Sequence, residues 1–300
     1  MKFTGCGTAL VTPFKKDQTL DEVCLRKLVR RQVEAGINFL VPCGTTGESP
    51  TLSRAEHLRV VEITLEEASG VVPVLAGCGG YNTAEVISLG QDLAAMGVDG
   101  ILSVTPYYNR PTQEGLYQHY RAIAQSVSLP IIVYSVAGRT GVNVEPVTLK
   151  RIAQFENIIG VKEASGNISQ MARVIQEVPN TFTVLSGDDA ITLPLCALGG
   201  KGIISVVSNE IPAEMTALAQ ACLRGDYEAA RQLQYAYLPL MEVNFVEANP
   251  IPVKAAMAEM GLLEPVWRLP LVPPSEESLT RIKNVLKETG LIADTHRVTV

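Results

Sequence analysis

Apolar residues along this chain gather into short unbroken runs, at 7–11, 38–43, 72–77, 100–104, 130–135, 158–162, 182–186 and 202–207. Continuous hydrophobicity over a strand's length, in place of alternation, marks strands covered on both faces, as in a parallel sheet. The stretches between them repeat their apolar positions at helical spacing. The 20–35 segment places Val23, Leu28, Val29 and Val33 on one side and stops at Gly36. Ser53 followed by Glu56 forms a capping-box signature that opens the next helix, which runs to residue 68. Further helical patterns cover 83–96, 113–127, 146–155, 168–178, 190–198 and 212–223. Strand starts fall about 20 to 35 residues apart, the length of one strand-and-helix unit. Eight such units predict an α/β fold, a (β/α)8 TIM barrel over 1–225. The competing doubly wound sheet would want a glycine-rich phosphate loop after its first strand. The best candidate, Gly77-Cys-Gly-Gly-Tyr-Asn82, lacks the third glycine and follows the third run. Beyond residue 225 the strand pattern stops, and 226–244, 252–260 and 275–289 read as helices joined by a proline-rich stretch at 265–274. The 226–300 segment is therefore expected as a helical extension packed on the barrel, with 293–300 a loosely held tail.

Composition narrows the functional classes. The 300 residues carry 25 basic and 31 acidic side chains, a formal charge of -6, with no block of Lys or Arg, which argues against a nucleic-acid backbone binder. No apolar run approaches the roughly 18 residues that span a membrane, and no signal-peptide core follows the N-terminus, so a cytoplasmic protein is expected. Six cysteines (6, 24, 43, 78, 196 and 222) show no paired spacing and read as reduced, mostly buried thiols. The three histidines, 57, 119 and 296, lie too far apart to suggest a metal, so no metal and no cofactor are expected.

Chemistry in such a barrel belongs at the C-terminal ends of the strands. Lys162 closes the apolar run Ile158-Ile-Gly-Val-Lys162, where lost solvation would favour its neutral amine and so Schiff-base formation with a ketone; a pair with Glu163 is the plainer alternative. Tyr134 ends another run and could pass protons, or simply fill the core. Arg139, in a turn-forming loop at 137–141, offers a fork for a carboxylate or an ordinary surface charge. Gly44-Thr-Thr-Gly-Glu-Ser49 could bring backbone and hydroxyl donors to an acid, or be only a turn leading to the Ser53 cap. Tyr107 and Tyr108 sit on a proline-bounded loop suited to a partner surface. Asp188 and Asp189 could hint at a metal, but structural hydrogen bonding is the stronger expectation.

Together these segments resemble the pyruvate-dependent class I aldolases, the family that holds dihydrodipicolinate synthases and N-acetylneuraminate lyases. The likeness covers nearly the whole chain and rests on the joint order of Gly44-Thr-Thr-Gly-Glu48, Thr105-Pro-Tyr-Tyr-Asn109, Gly138-Arg-Thr-Gly141, Gly160-Val-Lys-Glu163, Leu185-Ser-Gly-Asp-Asp189, Gly202-Ile-Ile-Ser-Val206 and Asn249-Pro-Ile-Pro-Val-Lys254. The paired tyrosines and Arg139 favour the synthase branch. The resemblance implies a lyase of lysine and diaminopimelate biosynthesis, in which Lys162 forms an imine with pyruvate and the enamine attacks L-aspartate 4-semialdehyde. Tyr134, Thr45 and Tyr108 would relay protons, with Tyr108 reaching in from a neighbouring subunit of a homodimer or homotetramer. Thr46, Gly187 and the backbone around Ile204 would hold the pyruvate end, and Arg139 the second carboxylate. Ser49, His57, Glu85 and Tyr107 match the positions of an allosteric lysine site, although Tyr81 stands where feedback-sensitive bacterial members often carry Asn. Tyr134-Ser-Val-Ala137 also departs from the family's Tyr-Asn-x-Pro, which leaves the aldehyde open through Ser135 and Ala137. Two other readings stand beside this one: another 2-keto acid aldolase of the family, or a non-catalytic barrel that binds a keto acid.

Overall fold

Every apolar run forms a strand, and the helical stretches follow in turn. The computed structural model describes residues 2–293. In chain order these are β1 (Gly5–Ala9), α1 (Glu22–Glu34), β2 (Phe39–Val41), α2 (Arg54–Ala68), β3 (Leu75–Gly77), α3 (Thr83–Met96), β4 (Gly100–Val104) and α4 (Gln113–Ser126). There follow β5 (Ile131–Ser135), α5 (Ala137–Thr140), α6 (Pro146–Ile152), β6 (Ile158–Glu163), α7 (Ile168–Glu177), β7 (Thr183–Ser186), α8 (Thr192–Ala197), β8 (Gly202–Ser205) and α9 (Pro212–Leu223). Three more helices end the described chain: α10 (Tyr227–Val243), α11 (Ile251–Glu259) and α12 (Glu276–Glu288). The expected tail at 293–300 lies outside the described residues apart from Ala293.

The strands are parallel in the order β2-β1-β8-β7-β6-β5-β4-β3. The two ends meet through a bridge between Leu40 and Val74, with Gly77 N donating to Pro42 O at 2.9 Å, so the sheet closes into a barrel. Gly77 permits that approach, since a Cβ there would stand 2.0 Å from Cys43 O. Both faces of the sheet are dry. Phe39, Leu75, Leu102, Ile132, Tyr134, Leu185 and Ile204 fill the interior. Residues such as Ile101, Val133, Val161 and Ile203 pack outward against the helices.

Helix starts follow the sequence closely. Ser53 accepts from Glu56 N and the Glu56 side chain accepts from Ser53 N, the complete capping box. Asn82, Thr112 and Asn167 cap α3, α4 and α7 in the same manner with one side chain each. Two expectations need correction. The 137–141 stretch is not a loop but one turn of helix, α5, whose Thr140 N and Arg139 N both donate to Val136 O. The 190–198 helix is divided into a 3-10 turn at Asp189–Ile191 and α8, because Asp188 caps Ala190 N one step earlier.

The last three helices do not stand apart from the barrel. α10 lies against α9, and α12 against α10 and α11. Val253 and Met257 of α11 pack with Val11, Leu28 and Val206, which sets α11 beside the C-terminal mouth of β1 and β8.

Candidate active site

Lys162 and Tyr134 are register partners on neighbouring strands, and both face the barrel interior. Lys162 is 5% exposed, and its Nζ stands 4.4 Å from the centroid of the Tyr134 ring. Among the described residues it forms no ion pair. The alternative of a Lys162–Glu163 pair is excluded by strand geometry, because successive side chains leave a strand on opposite faces. Glu163 points outward, accepting from Ser165 N at 3.1 Å and from Gln170 Nε2 at 2.7 Å.

Above the lysine lies a cavity of about 120 Å³, walled by Thr45, Thr46, Tyr134, Arg139, Gly187, Asp188, Val206, Phe245 and Asn249. At roughly 30 Å³ per water it has the scale of a very small organic acid. Gly187 is required there, since a Cβ would meet the Ala164 Cβ at 2.6 Å and the Lys162 Cε at 3.1 Å. Thr46 is buried and its Oγ1 accepts from Asn249 Nδ2 at 3.0 Å. Ile204 sits in the interior core of β8, and the residue of that strand end which lines the cavity is Val206.

The cavity opens into a cleft of about 700 Å³ that shares Thr45, Tyr134 and Arg139 with it and adds Ser49, Tyr107, Tyr108 and Arg110. Arg139 rides on α5, exposed, with Gly141 ending that turn at φ 70°. Tyr108 is 92% exposed on a backbone of φ 65°, a conformation that a tyrosine adopts only where the surrounding loop enforces it.

The resemblance matches four positions to a regulatory site. Ser49 and Tyr107 line the cleft, and Tyr81 packs edge-on to Tyr107 with ring centroids 5.3 Å apart. Burial, then the nearby Tyr81 and Glu85, push the Tyr107 phenol above its ordinary range. His57 lies behind this wall, with Nε2 3.0 Å from Gly77 O, and burial holds it down to about 4.

The aspartate pair divides its duties. Asp189 is buried, accepting from Ser205 Oγ at 2.5 Å and Val206 N at 3.0 Å, and burial raises it to about 6. Asp188 faces the cavity, and burial raises it as well. No group of metal-ligating side chains occurs among the described residues. Ser135 turns away from the cavity: its Oγ accepts from Val144 N at 3.1 Å and lies 3.5 Å from Asn143 Oδ1. The departure at this position therefore falls on the outer face of β5. Sequence reasoning gave no role to Asn249, Phe245 or Arg110, nor to Lys254, whose place inside the apolar run 251–257 was the available signal.

A closed parallel barrel that seats one buried lysine beside a phenol, under a small polar-rimmed cavity, defines a class I aldolase-type lyase, an enzyme that works on carbonyl compounds through an amine. A family model described as the Dihydrodipicolinate synthetase family matches residues 2–289, and the chain belongs to that family. A 4-hydroxy-tetrahydrodipicolinate synthase from Koribacter versatilis is 51% identical over 293 residues, covering 97% of this chain and 98% of the relative. The crystal structure of a dihydrodipicolinate synthase from Thermotoga maritima superposes with a TM-score of 0.95 at 47% identity, covering 97% of this chain and 100% of that one. A dihydrodipicolinate synthase from Acinetobacter baumannii, solved in complex with pyruvate, gives a TM-score of 0.95 at 42% identity over 96% of this chain and 99% of that one.

Proposed function

We propose that this chain condenses pyruvate with L-aspartate 4-semialdehyde to 4-hydroxy-tetrahydrodipicolinate, with Lys162 as the covalent residue. The observation that carries this reading is the unpaired Lys162 amine, buried 4.4 Å from the Tyr134 ring at the wall of a cavity of about 120 Å³. The amine adds to C2 of pyruvate and water leaves, giving an imine. Loss of a C3 proton gives the enamine, whose carbon attacks the aldehyde. The amino group of the second substrate then displaces Lys162 from C2, closing the ring and freeing the enzyme amine.

Each chain contribution has a place in this scheme. Tyr134 is the proton carrier next to the imine, with Thr45 beside it at the junction of cavity and cleft. Thr46 and Gly187 border the pyruvate end, with the backbone leading out of Ile204, and Arg139 offers its fork to the second carboxylate from the cleft side. Tyr108 projects from its own subunit, so the reading includes at least a dimer in which it completes a neighbour's relay, and a tetramer is consistent with it. No helix among the described residues is long and apolar enough to cross a membrane. With six free thiols, a cytoplasmic location belongs to the proposal. For Ser49, His57, Glu85 and Tyr107 the proposal is a site that responds to lysine weakly, since the Tyr81 ring occupies the space against Tyr107; titrating lysine into the coupled assay tests it.

The deciding experiment is incubation with pyruvate, reduction with borohydride and peptide mapping. A pyruvyl mass increment on Lys162, lost in Lys162→Ala, is the expected result. An unmodified Lys162 would sink the covalent reading. A coupled assay across several aldehydes then identifies the second substrate.

A further inference from the structure

Glu48 ends the Gly44-Thr-Thr-Gly-Glu48 turn and sits in the left-handed region at φ 53°, a strained choice for a residue with a side chain. Its carboxylate turns into the protein and forms an ion pair with Lys254 of α11, 206 residues further along the chain. Both side chains are wholly buried. The Phe14 ring lies against the pair, with Lys254 Nζ 4.6 Å and the Arg268 guanidinium 4.1 Å from its centroid. Arg268 N donates to the second Glu48 oxygen at 3.3 Å, and its guanidinium donates to Thr51 O and to Glu56. Asn249, five residues before Lys254, donates to Thr46 Oγ1. The turn's own bonds run from Gly47 N and Ser49 N to Gly44 O, at 3.1 and 3.4 Å, and from Glu48 N to Thr45 O at 3.1 Å. Outside the C-terminal helices, Thr12 Oγ1 donates to Gly47 O at 2.7 Å.

A buried ion pair is a weak source of stability, because desolvating two charges offsets most of their attraction, and apolar residues of similar volume fill such a space as well. What the charged pair adds is a fixed position. We propose that Glu48 and Lys254 are positioning residues for the reaction: from the C-terminal helices they hold the turn so that Thr45 and Thr46 keep their places in the wall of the Lys162 cavity. This rests on the covalent reading of Lys162 given above. The C-terminal helices are then part of the catalytic machinery at one remove, through the turn.

The double variant Glu48→Leu/Lys254→Met removes both charges and keeps the volume filled. It is expected to fold with a melting temperature close to that of the parent, to accept pyruvate on Lys162 in borohydride trapping, and to lose about tenfold or more in kcat. Combined with Thr45→Val, its loss should be much smaller than the product of the two separate losses, because both act through the same hydroxyl. A kcat within about twofold of the parent, or losses that multiply, overturns the proposal. Should the double variant fail to fold, Glu48→Gln serves, since it keeps the side chain's size and a buried Lys254 can shed its proton; the same two outcomes decide it. An unmodified enzyme that traps no pyruvate on Lys162 overturns the covalent reading and this inference with it. An adduct with unimpaired turnover in the variants overturns this inference alone.

Discussion

Lys162 and Glu163 are adjacent in the chain and unrelated in duty. One faces the barrel interior, and the other faces α7 through Gln170. The same alternation parts Tyr134 from Ser135, so the residue that departs from the family pattern touches Val144 and Asn143 and not the cavity. Neighbourhood at this scale is also set by what is absent. Gly187 leaves room for the aliphatic end of Lys162, and a methyl group would collide with Ala164 at 2.6 Å. Gly187→Ala should therefore lower kcat/KM for pyruvate by something on the order of a hundredfold. It should also destabilise the fold by about 1 to 3 kcal/mol through overpacking. Steady-state kinetics and urea unfolding of the variant check both. Wild-type kinetics would mean that Lys162 does not work from the observed position.

Elements show where the sequence was readable and where it was not. All eight strands were legible because burial on both faces forces continuous apolar runs, and α3 and α9 begin and end where the periodicity does. The one-turn α5 was not, since four residues carry no periodicity and Gly138 argues for a loop. The helices also carry a pH response. His57 of α2 bonds to Gly77 O, and His119 of α4 meets Thr83 Oγ1 at 2.9 Å at the start of α3. Burial holds each down to about 4, against an ordinary 6.5. In the unfolded chain both take up a proton near pH 6.5, which the native state refuses until about 4. Their contribution to stability is therefore greatest above 6.5, falls as the pH drops toward 4 and levels off below it, while the raised Asp189 and Glu210 act in the opposite sense over this range. By pH 5 the loss should be roughly 2 kcal/mol for each. Denaturant unfolding of the parent and His119→Asn at pH 7.5 and 5.0 isolates the His119 part: the variant's change on going to pH 5.0 should be less destabilising than the parent's by about 2 kcal/mol. An equal difference would show that His119 is protonated in the native state.

For the whole molecule, the loop of Tyr108 was legible as a partner surface, and the Glu48–Lys254 pair was the feature least visible in the sequence. The Tyr108 phenol is exposed as its proline-bounded loop suggests, whereas contact across 206 residues has no local signature. Lys254 ends the Asn249-Pro-Ile-Pro-Val-Lys254 segment, yet nothing in its neighbourhood names its partner. The role of Tyr108 can be tested by mixing. On the proposed dimer, Lys162→Ala and Tyr108→Phe chains unfolded and refolded together would form mixed pairs in which one site holds both an intact Lys162 and an intact Tyr108 from opposite chains. About a quarter of parental activity should return if Tyr108 works across the interface, and none above the separate variants if it works within its own chain.

The span between Glu48 and Lys254 also sets an order in time. A ribosome adding about 5 to 20 residues per second needs roughly 10 to 40 s to supply the lysine after the glutamate has emerged. Strand β1 waits almost as long for β8, its second neighbour. Through that interval the nascent barrel is open along one edge, and the turn bearing Thr45 and Thr46 lacks the Lys254 ion pair and the Asn249 bond. A message truncated between residues 162 and 254 therefore yields a chain that carries Lys162 without the anchor proposed for the turn beside it.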